Sequence, residues 1–210
     1  MAITSRGYEG TIDYEDWAIV TSHFGSQYSV FGADAFSAAA GASDREVVLQ
    51  PGRAAGHGIL DDSDATISVV GGTVATGSRW DLIALRRNWA TGATTPVIIA
   101  GSAAKAIPAR ENDPGEEKDD QPLWLARFSA GQTAVQELVD LRCWFGDGGM
   151  VAKDLLARDY LTRIGTRIRI QGISWMLAFD GATPAWVPDS VYVGATAPPY
   201  FPNLGWLKVP

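Results

Sequence analysis

"GSRWDLIALRRNWATG", residues 77–92, is the stretch whose reading decides the fold. Alternate residues of a strand point to opposite faces, so Leu82 and Ala84 share one face and Ile83 and Leu85 the other. A strand that is apolar on one face borders one core. One that is apolar on both is predicted to be a central strand, covered on both sides. Thr91-Gly92 breaks the run, and "TTPVIIAGSA" (94–103) reads as its hairpin partner across a Trp89–Thr95 turn. The same stretch raises a chemical question. Arg79-Trp80-Asp81 and Arg86-Arg87 beside Trp89 are a catalytic cluster, a nucleic-acid patch, or part of an architecture.

Outward from this strand the period stays at two. "EVVLQPG" (46–52) is a strand ended by Pro51-Gly52, followed by "AAGHGILDD" (54–62) and by "ATISVVGG" (65–72). Downstream, "LWLARFSAGQTAVQELVDLRCWFG" (123–146) gives a strand over 123–128, a turn at Ala130-Gly131 and a strand over 135–144. Residues 46–145 are therefore expected to form an antiparallel β-sandwich with Ile83, Leu85, Val97, Ile99, Trp124 and Val139 in its core. Between the strands, "PARENDPGEEKDDQP" (108–122) is the most polar stretch of the chain. It is expected to be a solvated loop, and the charges of 109–121 to add little to stability.

Toward the N-terminus "TIDYEDWAIVTSHFGSQYSVFG" reads as a short helix. Asp13 caps it, Glu15 and Asp16 complement the dipole, Trp17, Val20 and Phe24 share a face, and Gly25 stops it. At the other end "GDGGMVAKD" (146–154) suggests a boundary, giving a sandwich domain over 1–145 and a small β-rich segment over 146–210. Within that segment "KDLLARDYLTRIG" suggests a short helix. "TRIRI" alternates Ile168 and Ile170 against Arg167 and Arg169, and the end is rich in aromatics and proline. The expected class is mainly β, a sandwich with a short N-terminal helix and a β-rich C-terminal segment.

Composition narrows the function. The net charge of −7 argues against a general phosphate-binding surface, which needs clustered Lys and Arg, so nucleic acid is not expected as a partner. No apolar run approaches the ~20 residues that span a bilayer, and the first residues lack a basic region followed by an apolar core. Membrane insertion and export by the usual signal are not expected, and synthesis in the cytoplasm is. The single Cys143 cannot form an intramolecular disulfide.

The candidates for chemistry are thin. His23 and His57 are isolated, and zinc asks for more ligands at tight spacing. His57 stands in Gly-His-Gly beside Asp61, Asp62 and Asp64, where a turn is the simpler reading. "DDSD" (61–64) lacks the spacing, glycine and closing glutamate of a calcium loop, and reads as a solvated turn. No G-x-S-x-G elbow is present, and spacing alone does not bring two of Asp61, Asp62, Asp64, Asp81 and Asp140 to the separation of a glycosidase pair. "GDGG" and "VVGG" do not match phosphate-cradling loops. Arginine beside tryptophan at a strand end suits base stacking, or a cation–π or interface contact. Trp186, Tyr200 and Trp206 suit a sugar platform, or a core or subunit contact. No catalytic residue, metal ligand or cofactor is assigned. Arg79, Trp80, Arg86, Arg87, Trp89, Trp186, Tyr200 and Trp206 are the candidate interface.

The order "VVLQPGRAAGHGILDD", then "GSRWDLIALRRNW", then "DQPLWLARFSAGQTAVQELVDLRCW" resembles minor tail proteins of phages that infect actinobacteria. It is similar also to the N-terminal domains of baseplate and receptor-binding proteins of other long-tailed phages. The resemblance covers about residues 1–145. It implies a non-enzymatic virion component at the tail tip or baseplate, with Arg79-Trp80-Asp81 architectural, and docking to other tail proteins. A trimer about the tail axis and a share in attachment to a host cell-surface carbohydrate follow from it. The need for a homo-oligomer follows from residues 146–210, too short to bury their own aromatic side chains such as Trp175 and Trp186. The competing class is a protein that binds or cleaves host cell-wall carbohydrate.

Overall fold

The computed structural model describes residues 13, 16–18, 21, 26–115, 117–180, 183–189, 191–194, 196 and 205–208. Its centre is an antiparallel four-stranded sheet ordered β10 (Glu137–Asp140), β9 (Lys118–Ser129), β7 (Ser78–Asn88), β8 (Ala93–Ile99). On one side lies a three-stranded sheet of β2 (Ala38–Ala40), β3 (Glu46–Leu49) and β6 (Ile67–Val70). The third sheet has eight strands. In order they are β15 (Thr183–Pro188), β14 (Ile173–Asp180), β13 (Arg167–Ile170), β12 (Gly149–Ala152), β11 (Cys143–Gly146), β1 (Tyr28–Val30), β4 (Gly52–Gly56) and β5 (Ile59–Ser63). A separate pair joins β16 (Val191–Gly194) to β17 (Gly205–Lys208). The chain is mainly β.

The two-faced reading of residues 80–85 holds. Trp80, Leu82 and Ala84 enter one buried cluster with residues of the eight-stranded sheet, among them Tyr28, Ile168, Ile170 and Trp175. Ile83 and Leu85 enter the other, with Val47, Leu49 and Val69 of the three-stranded sheet and with Val30 and Ala54. The six residues expected in a single core therefore divide. Ile83, Leu85 and Trp124 belong to one cluster; Val139, with Val97 and Ile99 half-buried, belongs to the other.

Strand β9 is a central strand that contains Pro122, which cannot donate to a ladder. The pairing with β7 shifts there: Ala84 lies opposite Pro122 and Ile83 opposite Trp124, so Leu123 is an extra residue. Its carbonyl accepts instead from the Leu141 N–H at 3.0 Å. The bulge also explains why the adjacent Leu123 and Trp124 pack into the same cluster.

Three sequence expectations are corrected. Residues 118–122 are not loop but the first turn-free stretch of β9, because the β7–β9 ladder continues outward to Asn88 opposite Lys118. The single strand expected over 135–144 is two, β10 in the central sheet and β11 in the large one, with the change of sheet at Leu141-Arg142. "DDSD" is not a solvated turn: Asp61–Ser63 belong to β5, paired with β4. Within 46–145 the strands pair antiparallel, as expected, and the parallel pairs β1–β11 and β12–β13 each involve a strand outside that range.

Residues 146–149 form the tight turn of the β11–β12 hairpin, and side chains from both sides of it share one cluster. Trp175 and Leu177 are buried, so these aromatic and apolar side chains of the C-terminal segment are covered by the chain itself. Residues 155–159 form a 3-10 turn capped by Asp154, which accepts from the Leu156 N–H at 2.9 Å. Ile168 and Ile170 point inward and Arg167 and Arg169 outward, as their alternation predicts. At the N-terminus Asp16–Ala18 and Thr21 are helical, and Asp13 accepts from the Asp16 N–H at 2.8 Å. Val20 and Phe24 lie outside the described residues.

Candidate functional site

The densest chemistry sits where the outer ends of β7 and β9 meet the β4–β5 hairpin. That hairpin turns through His57-Gly58, both at positive φ (48° and 77°), as a two-residue turn between Gly56 and Ile59 requires. The turn carries the His57 ring into the interior against the edge of Tyr28, with ring centroids 5.3 Å apart. Opposite it, the β7–β9 ladder sets Arg86 across from Asp120 and Arg87 across from Asp119.

These four charges have different partners. Arg86 grips Asp120 with two hydrogen bonds of 2.7 and 2.8 Å, and Asp120 also accepts from the Glu111 N–H. Arg87 reaches across to the other sheet: Nε and Nη2 donate to Asp61 of β5 at 3.0 and 2.6 Å, and Nη2 also to Gln121 at 2.6 Å. Gln121 in turn donates to the Ser29 carbonyl of β1. Asp119, wholly buried, accepts 2.6 Å from the Tyr28 hydroxyl and lies 3.6 Å from Arg110. Gly56 permits this crossing, since a Cβ there would come 2.6 Å from Arg87 Nη1.

Three buried atoms of the cluster lack a hydrogen bond: His57 Nε2, Arg87 Nη1 and Asp119 Oδ2. Both nitrogens stand 3.9 Å from that oxygen, about 1 Å beyond hydrogen-bond reach. Burial first, then the Arg87, Arg110 and Arg163 charges, push His57 down to about 4, so at neutral pH it is an uncharged imidazole. Burial pushes the Asp119 carboxyl up, against its bond from Tyr28 and the arginine charges, and also raises the Tyr28 hydroxyl. The site is thus a sealed knot of charges that ties the eight-stranded sheet to the central one.

Two more knots follow the same rule. Arg79 holds Asp81 with bonds of 2.6 and 2.8 Å, and Asp81 accepts from the Gly101 N–H. At the change of sheet Arg142, almost wholly buried, grips Asp140 at 2.8 and 2.6 Å, donates to the Ala35 carbonyl and lies 4.7 Å over the Trp124 ring. Beside it the Cys143 thiol is pushed up to about 12 by burial. Because Tyr160 spends its proton on the Leu141 carbonyl, the thiol donates to the Tyr160 oxygen at 2.8 Å.

Of the residues singled out by sequence, Trp80, Arg87 and Trp89 are buried within the chain itself, so they fill its interior instead of facing a neighbour. Arg79 and Arg86 are closed into the pairs above. Trp186 is half-buried against the core and donates to the Arg158 carbonyl at 3.0 Å. Trp206 stands in β17 opposite Tyr192, and Tyr200 lies outside the described residues. Sequence reasoning missed Tyr28, Arg110, Asp119, Asp120, Gln121 and Arg142. A signal was present for three of them. Extending the β7–β9 ladder outward brings Asp120 and Asp119 opposite Arg86 and Arg87, and Gln121 opposite Leu85.

Among the described residues no three His, Cys, Asp or Glu side chains gather to hold a metal ion, and no helix is long and apolar enough to cross a membrane. No family model matches the chain, nor does any curated protein or any solved structure.

Proposed function

We propose that the chain is a non-enzymatic structural component of a phage tail tip or baseplate, which docks onto neighbouring tail proteins and supports attachment to the host. One observation carries this reading: the most distinctive stretch, Ser78–Asn88, is buried along most of its length, with each of its arginines paired to an aspartate of the same chain. Its charges serve the fold, as the resemblance to tail proteins implies for Arg79-Trp80-Asp81. What the fold leaves outside is a set of large apolar side chains, including Phe31, Leu60, Phe145 and Phe179, of the kind that mark contact surfaces.

The test is a cryo-EM reconstruction of the tail tip of particles made by the genome that encodes the chain, with mass spectrometry of purified tails. The expected result is density at the tip that fits the three-sheet core and the peptide in the tail fraction. Absence from purified particles, together with binding or turnover of cell-wall polysaccharide by the isolated protein, would overturn it in favour of the carbohydrate-active class.

A further inference from the structure

Residues 100–117 connect β8 to β9. Their first part is moored at the start of β7, where the Trp80 N–H donates to the Ser102 carbonyl at 2.8 Å and Ile107 packs half-buried on the core. The next part, 109–113, is a strap along the outer half of β9, beyond Trp124, where the pairing with β10 ends. Its hold is slight. The Asp120 N–H donates to the Glu111 carbonyl at 3.0 Å, the Glu111 N–H to the Asp120 carboxylate at 2.9 Å, and the Asp113 N–H to the Lys118 carbonyl at 2.9 Å. Every residue of the strap is exposed except Arg110, whose side chain enters the interior and is 9% exposed.

Neutral groups hold Arg110 there. Its Nη1 donates to the Asp120 carbonyl at 2.7 Å and to the Tyr28 hydroxyl and the Glu111 carbonyl at 3.2 Å, and the guanidinium lies 5.4 Å from the Tyr28 ring centroid. Its charge faces Asp119 at 3.6 Å without a hydrogen bond. The groups that face His57 are Tyr28 of β1, Asp119 of β9, Arg87 of β7, Arg110 of the strap and, acting most weakly, Arg163. Tyr160 packs against Tyr28, and Asp61 of β5 is bonded to Arg87. While His57 is uncharged, Asp61 and Asp119 balance Arg87 and Arg110. A proton on His57 leaves a surplus positive charge in the interior, which is costly there. Burial and the charges of Arg87 and Arg110 keep that proton off, so departure of Arg110 removes one of the causes, and proton uptake and release of Arg110 favour each other.

We propose that Arg110 is the latch of an acid-released strap: a proton on His57 expels the guanidinium, and residues 109–113 leave β9 with it. Arg110 goes and Arg87 stays, because Arg87 stands on a central strand and is bonded twice to Asp61, whereas Arg110 stands on a connection with few bonds of its own. Release is local, since the strap lies on the edge of β9 away from β7 and the β7–β9 ladder does not depend on it. It bares the Asp120 N–H and the Lys118 carbonyl, an open strand edge of the kind that pairs with another chain. The inference stands apart from the virion reading, since it concerns the isolated protein in solution.

The experiment is amide hydrogen exchange of the full chain at neutral pH and near pH 4, where His57 takes up its proton, with rates corrected for the intrinsic effect of pH. On acidification the Asp113 and Asp120 amides are expected to lose roughly tenfold in protection, while those of Leu82 and Leu125, within the β7–β9 ladder, keep theirs. His57→Asn, which tolerates the positive φ of its turn, is expected to keep the strap protected near pH 4. Arg110→Met removes the latch's charge, and exchange of the strap is then expected to be the same at both pH values. Strap protection that acid leaves unchanged in the natural chain overturns the inference. So does an equal loss in strap and ladder, or an acid response that survives in His57→Asn or in Arg110→Met.

Discussion

The inside of the central sheet and the outside of the large sheet exchange the usual roles of charge and aromatic. Asp119, Asp120, Arg87 and Arg142 lie in the interior, while Phe31, Phe145 and Leu60 face solvent. The two departures differ in what they cost. A buried charge is tolerable only when its partner is in place, so each interior arginine is bonded to a carboxylate and removal of one member strands the other. An exposed phenyl ring costs little in an isolated chain, so nothing in the fold has to compensate for it. Interior charge is therefore a stability feature in this protein, and the exterior rings contribute little to its stability.

The sharpest way to break that comparison is Arg87→Ala. It strands the Asp61 carboxylate and leaves the Gln121 carbonyl oxygen without its donor, and unfolding by urea is expected to show a loss of about 3–5 kcal/mol. A loss below 1 kcal/mol would mean the knot is dispensable.

Acid titration comes next. His57 holds a proton less readily folded, at about 4, than unfolded, at 6.5, so its contribution is complete above pH 6.5 and is lost as pH falls toward 4. The expected decline is on the order of 3 kcal/mol. Asp119 runs the other way, because its raised carboxyl favours the folded state on the acid side and that advantage fades as pH rises through its folded value. His57→Asn, which tolerates the positive φ of the turn, isolates the first effect and is expected to flatten the curve between pH 4 and 6.5. An unchanged slope would detach His57 from the knot.

A smaller effect separates packing from polarity. Trp124 is buried and donates 2.8 Å from its indole N–H to the Phe36 carbonyl. Trp124→Phe keeps a ring but leaves that carbonyl unpartnered, for an expected loss of about 1–2 kcal/mol in the same urea measurement. The smallest effect is expected outside: Phe179→Ser should shift stability by no more than about 0.5 kcal/mol. A loss comparable to that of Trp124→Phe would show the ring to be part of the fold.

The same contrast sets what was legible in the sequence. Residues 80–85 announced a central strand because apolar side chains on both faces leave no other comfortable place, and Ile168 and Ile170 announced a half-exposed one. Asp119 and Asp120 were overlooked because local composition marks them as solvent-facing, and only the ladder register extended past Leu85 sets them opposite Arg86 and Arg87. The arginines that make their burial possible come from another strand and from Arg110, so the deciding fact is tertiary. Three of the expected interface residues are interior for the mirror reason: tryptophans and arginines at strand ends look like contact residues, and Trp80, Arg87 and Trp89 are enclosed by segments distant in sequence. Phe31 borders β1 and Phe145 lies within β11, and only the register of Val30 opposite Trp144 brings the two strands together.

The parallel pairing of β1 with β11 has a consequence for time as well as for shape. The central hairpin joins strands that follow one another in the chain and can close as soon as they are made, but Val30 waits for Trp144, with the whole central sheet encoded between them. Closing so long a loop is slow relative to local pairing. A nascent chain emerging from the ribosome thus builds its middle first, holds β1 with one edge open, and completes the large sheet only after Cys143–Gly146 has appeared. The turn from β10 to β11 at Leu141-Arg142 is the moment at which the chain leaves the central sheet and begins the far half of the large one, β11–β15.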